Sequence, residues 1–125
     1  MMTTLPVTTV PIQQIFDLAQ ARSTLRTKIM HQRWPIMFNA RASAVITALG
    51  ELILESRDTR CVVIKIEIIT DFKQQGVKLS TSFHVSDKTC IQWNNRKQNL
   101  NMASADTEIQ EVGDKVEITM YVWIN

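Results

Sequence analysis

Residues Asn39–Thr70 read NARASAVITALGELILESRDTRCVVIKIEIIT, and two hydrophobic periods meet in them. Ala42, Val45, Ile46, Leu49, Leu52 and Ile53 recur at helical spacing and, at about 100° per residue, fall on one stripe. The spacing predicts an amphipathic helix from Ala40 to Ser56, with Asn39 as its N-cap. The opposite face carries Ala40, Ala44 and Ala48, then Glu51 and Glu55. One side is made to sit on a core; the other is small and then acidic. After the polar link Arg57–Arg60 the period drops to two. Val62, Ile64, Ile66 and Ile68 point one way, and Cys61, Val63, Lys65, Glu67 and Ile69 the other. One apolar and one mixed face suit a central strand with helices on one side only.

Upstream, Met1–Val10 is Thr-rich, and its β-branched residues and Pro6 fit a short edge strand or an extended arm. Pro11 suits the first turn of a helix. Ile12, Ile15, Phe16, Leu18, Ala19, Leu25, Ile29 and Met30 form that helix's apolar face, and it ends before Pro35. Trp34–Phe38 reads as a buried joint between the two helices. Downstream, Asp71–Gly76 is a polar loop closing on a glycine. Val77–Ser86 alternates cleanly and pairs with the preceding strand as an antiparallel hairpin. In Lys88–Asp106, Cys90, Ile91 and Trp93 suggest a brief strand, and Asn94–Asn101 a polar loop. Thr107–Val112, Gly113-Asp114 and Lys115–Ile124 read as a second hairpin with a type II′ turn. Its inner face is Val116, Ile118, Met120, Val122 and Ile124. The expected fold is α+β: one domain, 1–125, a two-layer sandwich with two main helices on one face of a mixed, largely antiparallel sheet.

Composition narrows the function classes. The chain has 125 residues, 45% of them apolar, enough to bury a core. No apolar run reaches the roughly 18 residues of a membrane span. Met1–Val10 lacks the basic and apolar runs of a secretory signal. A cytoplasmic protein without a membrane partner is expected. A net charge of +2 makes no case for nucleic acid. Cys61 and Cys90 form neither a disulfide framework nor a zinc site, and read as buried thiols in a reducing compartment. His31 and His84 have no further ligand at metal spacing. Ser80, Ser82 and Ser86 lack the glycines of a nucleophile elbow. Arg22, Arg26 and Arg33 lie close together on one side of the first helix, as a solvated face or as a docking stripe for an acidic partner.

The order of the elements resembles the GHKL ATPase fold (the histidine-kinase-like, or Bergerat, fold), and within it the small anti-sigma-factor and switch serine kinases of bacterial partner-switching pathways. Val10-Pro11-Ile12 and Asp17-Leu18-Ala19-Gln20-Ala21-Arg22 look like the family's opening arm and helix. Ala44-Val45-Ile46-Thr47-Ala48-Leu49-Gly50-Glu51-Leu52 looks like the helix that carries the N box. Two strands ending in Asp87 follow, and Thr107–Ile124, with its Gly turn and Trp-Ile end, looks like the last pair. The likeness covers nearly the whole chain. It implies Glu51 as a catalytic residue, Glu55 in place of the family's Mg²⁺-holding Asn, and Asp87 as the acceptor for the adenine amino group. A carboxylate can hold Mg²⁺. The family's Asp-x-Gly-x-Gly pattern is absent, since Lys88, Thr89 and Cys90 follow Asp87. No glycine lies between Gly76 and Gly113 to let backbone N–H groups approach phosphates.

The resemblance therefore implies a scaffold lacking intact nucleotide motifs, with no cofactor, or with ATP and Mg²⁺ if nucleotide binding is retained. The expected function is a regulatory protein-binding module without catalysis. Its partner would be a STAS-type antagonist or a sigma-factor-like regulator, met by Arg22, Arg26 and Arg33. The first alternative is a divergent ATP-dependent serine kinase using Glu51 and Asp87. The second is a small nucleic-acid-binding or assembly module, in which Trp93, Arg96 and Lys97, with the Asn and Gln side chains around them, stack on and hydrogen-bond to bases while the arginines of the first helix meet phosphates; the near balance of acids and bases argues against it. Tyr121 and Trp123, on the outer face of the last strand, suit a homodimer.

Overall fold

The α2 helix, Ile36–Ser56, and the strand β2, Val63–Thr70, form the centre of the molecule. The structure, a computed structural model, describes residues 7–58, 60–70, 73–101 and 105–124. Around this centre run β1 (Thr8–Pro11), α1 (Phe16–Met30), β3 (Gln75–His84), α3 (Ile91–Asn101), β4 (Asp106–Val112) and β5 (Lys115–Trp123). The strands form one sheet in the order β1-β2-β3-β5-β4. Every ladder among the described residues is antiparallel, so the sheet is not mixed. The result is an α+β sandwich with its core between the helices and one face of the sheet.

The stripe on α2 is where its spacing puts it. Ala42, Val45, Ile46, Leu49, Leu52 and Ile53 are all buried, joined by Phe38 and Gly50. They meet Ile64, Ile66, Val77, Leu79, Phe83, Ile118 and Met120 in one core cluster. The 21-residue α2 is long and apolar enough, by length and composition alone, to cross a membrane. Its apolar stripe is spent on this core instead. Gly50 is where α1 comes closest: a Cβ there would lie 2.0 Å from Leu18 Cδ2.

Several boundaries differ from the sequence expectation. The α2 helix begins at Ile36, with Pro35 in the N-cap position at ψ 146° and no capping side chain. Asn39 is therefore inside the helix and not its cap. The α1 helix has already ended at Met30, and the chain turns through Arg33 at φ +59°; Pro35 starts the next helix, its φ of −58° already suited to a first turn. Pro11 is the last residue of β1, paired with Val63, and not a helix start. The turn into α1 is made by Asp17, whose Oδ2 accepts the N–H groups of Gln13 at 2.7 Å and Gln14 at 3.0 Å. The buried face of α1 is Leu18, Ala21, Leu25 and Ile29. Ile15, Phe16, Ala19 and Met30, expected on that face, are exposed. Residues 1–6 of the expected arm, and Asp71 and Phe72 of the expected loop, lie outside the described residues.

Gly76 belongs to β3 and does not close the loop. It pairs with Ile69 and Trp123, and a Cβ on it would lie 2.2 Å from the Val122 carbonyl oxygen. Thr81 occupies an inward position among apolar residues. Its hydroxyl donates to the Val63 carbonyl at 2.8 Å, beyond the last rung of the β2–β3 ladder, which satisfies that oxygen. At the end hairpin Gly113 has φ +62°, while Asp114 is not among the residues with positive φ. That combination fits the expected type II′ turn and excludes type I′.

The largest departure is 88–106. The expected strand and loop are the helix α3, whose described buried residues are Trp93 and Leu100. Seven residues apart, these two side chains share one side of the helix. Trp93 packs edge-on to Phe83 with ring centroids 6.0 Å apart. Residues 102–104 lie outside the described residues. Cys61 is exposed and Cys90 half-buried, so the expected pair of buried thiols is not found.

Candidate functional site

The two carboxylates singled out on α2 face α3. Glu51 and Glu55, four residues apart, project from the half-buried side of α2. Glu55, Gln92, Asn95, Arg96 and Asn99 line a cleft of about 200 Å³ between the helices. Arg96 donates its Nη1 to Glu51 Oε2 at the edge of this cleft. Glu51 thus has a resident counter-ion. This pair is more than a third exposed on both sides, which places it among ion pairs that contribute little to stability. Its consequence is local: a base or metal ligand at Glu51 must first be released from Arg96.

Asp87 stands apart from these two, on the loop before α3. Its Oδ1 accepts the backbone N–H of Thr89 at 2.9 Å and the Thr89 hydroxyl at 2.6 Å. These two hydrogen bonds hold the carboxyl below its ordinary range. Asp87 does the work of a turn residue, locking the chain just before α3 begins. No group of three or more His, Cys, Asp or Glu side chains converges among the described residues. The oxygen donors lining the cleft are the Glu55 carboxylate and the neutral amides of Gln92, Asn95 and Asn99.

The other side of α3 is tied to the sheet. Glu111 on β4 receives Lys97 at 3.0 Å and Lys88 at 3.7 Å. The hydrogen bond from Lys97 lowers the Glu111 carboxyl below its usual range; partial burial opposes this, and the charges of Lys97 and Lys88 reinforce it. Lys88 also donates to the Gly113 carbonyl. A helix with two buried anchors among its described residues is therefore clamped by charge as well. Sequence reasoning missed α3 and its clamp, and the signal available was the Trp93–Leu100 spacing with Arg96 and Lys97 between them.

The arginine stripe divides in the structure. Arg22 donates Nη1 to the Thr47 hydroxyl at 3.1 Å and so leans on α2. Arg26 is exposed on α1. Arg33 is exposed in the connection between the helices and adopts φ +59°. Arg22 and Arg26 share one helix face, being four residues apart; Arg33 lies beyond the helix end.

A polar junction at the end of α2 was not foreseen. Asp58 Oδ2 accepts the His84 N–H at 2.8 Å, and its Oδ1 accepts the Arg60 N–H at 2.9 Å and Arg60 Nε at 3.1 Å. Its side chain is 5% exposed. Burial pushes this carboxyl up, but the backbone N–H groups of Arg60 and His84 and the Arg60 guanidinium outweigh it and bring it to about 2. His84 is half-buried here, with its ring nitrogen 3.9 Å from the same carboxylate. Together these contacts fasten the end of the helix to the sheet.

On the sheet's outer face, Tyr121 and Trp123 stack with centroids 5.3 Å apart, Lys78 lies over the Tyr121 ring, and Trp123 Nε1 donates to Asp106 at 2.8 Å. No protein-family model matches the chain, and no curated protein matches it. What stands is an α+β sandwich with a polar cleft between α2 and α3 and with Arg22 and Arg26 on the first helix and Arg33 in the connection after it.

Proposed function

We propose that the chain is a cytoplasmic regulatory module of the partner-switching, anti-sigma type, which binds a protein partner on a GHKL-type scaffold without nucleotide chemistry. The observation that carries this reading is α3. The resemblance places the phosphate-binding glycines after Asp87, and there the chain forms a glycine-free helix. Backbone N–H groups inside a helix are spent on its own carbonyls, so they offer phosphates no cradle. The same helix supplies Arg96 to Glu51, the carboxylate that the resemblance implies for catalysis. The element order from β1 to β5, with two helices before the second strand, supports the scaffold.

The partner's surface is the basic side of α1, Arg22 and Arg26 with Arg33 beyond it, and its occupant is a STAS-type antagonist or a sigma-factor-like regulator. The test is calorimetric titration of ATP with Mg²⁺ into the wild type and Arg96→Ala. The expected result is no binding by either folded protein. Micromolar binding by the wild type that Asp87→Asn abolishes would overturn the reading in favour of a divergent serine kinase. Charge reversal at Arg22 and Arg26 is expected to weaken partner capture without unfolding the domain, and unchanged capture would remove the surface assignment.

A further inference from the structure

Between Leu18 and Gly50 the chain carries five basic residues, Arg22, Arg26, Lys28, Arg33 and Arg41, and no acidic one. That stretch is α1, the connection 31–35 and most of α2. At its corner three large apolar side chains stand in solvent: Met30 is 70% exposed, Ile36 86% and Met37 80%. They lie within eight residues of chain, at the end of one helix and the start of the next. Arg26 sits one turn before Met30 on α1. His31 and Arg33, both exposed, lie between Met30 and Ile36. The first turn of α2 holds no acidic residue and no capping side chain, so its dipole adds to the positive field.

Folding does not require these side chains to be outside. Their neighbours Ile29 and Phe38 are buried, and Trp34 packs edge-on to Phe38 at 5.2 Å. The corner is thus packed from beneath, under an apolar, basic tip. We infer that this tip is a membrane-surface contact: Met30, Ile36 and Met37 enter the headgroup boundary of an anionic bilayer, and Arg26 and Arg33 meet the lipid phosphates. The chemistry favours lipid over nucleic acid, because bases call for aromatic or hydrogen-bonding side chains and these three are aliphatic or thioether. It favours lipid over a peptide, because a peptide needs a groove and these side chains protrude. Association of this kind needs both parts, since insertion supplies the apolar term and the arginines add about fivefold each near an anionic surface. The inference shares Arg26 and Arg33 with the partner reading but is tested separately from it, because vesicles contain no protein and Met30, Ile36 and Met37 belong to the lipid contact alone.

The experiment is flotation of the full chain with vesicles of phosphatidylcholine alone and of phosphatidylcholine mixed with phosphatidylglycerol. Binding to the anionic vesicles only, decreasing with salt, is expected. Met37→Asp is expected to reduce it by at least about tenfold, and the variant keeps its fold because a carboxylate suits the first turn of a helix. Arg33→Glu is expected to reduce it by a comparable factor, and brominated lipid is expected to quench Trp34 fluorescence. No flotation by the wild type would overturn the inference. So would flotation that Met37→Asp leaves unchanged, and so would tight binding to duplex DNA with none to vesicles.

Discussion

Replacing Asp58 with Asn tests how the helical layer is fastened to the sheet. The carboxylate takes the backbone N–H groups of Arg60 and His84 and the Arg60 guanidinium, with a side chain that is 5% exposed. Its folded value of about 2 against an ordinary 3.8 corresponds to about 2 kcal/mol of stability linked to the ionised form. The folded value is depressed, so this contribution is complete above pH ~4, about half gone near pH 3, and lost as pH falls through 2. The amide introduced by Asp58→Asn would keep the shape and one acceptor, would leave the N–H of either Arg60 or His84 without its acceptor, and would remove the charge facing the Arg60 guanidinium. The expected loss at neutral pH is about 2–3 kcal/mol, or a fall in Tm of roughly 8–12 °C for a chain of this length. The assay is thermal unfolding followed by circular dichroism for both proteins from pH 7 to pH 2. Taking the difference between them cancels the other carboxylates. Equal Tm values at neutral pH, or a gap that does not narrow between pH 5 and pH 2, would refute the role given to this side chain.

Three further substitutions probe other joints. Arg57 ends α2 in the left-handed region at φ +58°, so Arg57→Gly is expected to raise stability by about 1 kcal/mol in urea denaturation. Gly76→Ala drives a methyl toward the Val122 carbonyl oxygen, which is backbone and has little room to yield; a loss of about 2–3 kcal/mol is expected in the same assay. Trp93→Ala removes one of the buried anchors of α3, with an expected cost of about 3–5 kcal/mol. Hydrogen exchange should then show faster exchange in α3 than in β3, and uniform exchange across both would contradict a locally anchored helix.

The sandwich was legible because two clean periods adjoin. The α2 stripe at helical spacing and the alternation in β2, β3 and β5 all point to one side, and the inward apolar residues of those strands, from Ile64 to Val122, are buried. What was not legible has a common physical cause, weak apolar signal. The α3 helix is rich in Asn and Gln, and Asn in particular has modest helix propensity. It is held by Trp93, Leu100 and charge pairs that single positions do not announce. Asp17 was read within a family-like opening, but its reach back to Gln13 and Gln14 depends on how the turn folds. The Asp58 junction joins residues 26 positions apart in sequence, and no local pattern encodes that. Pro11 carries no local sign that separates a strand end from a helix start, since proline's fixed φ and missing N–H fit both.

The distribution of satisfied and unsatisfied groups bears on where this protein meets other molecules. Of the three carboxylates that the resemblance ties to nucleotide, Glu51 is held by Arg96 and Asp87 by Thr89, leaving Glu55 to line the cleft. A ligand that engages Glu51 or Asp87 must displace contacts already made, and gains only the difference. At the α1–α2 corner the apolar side chains ask for no such exchange. Met30, Ile36 and Met37 are already in water, so any apolar surface that covers them gains their full burial. The stretch that holds them carries no carboxylate to compete for a bound anion. Burial of these side chains displaces no existing contact, whereas a ligand at Glu51 or Asp87 must displace one, and experiments on binding should therefore begin with the corner.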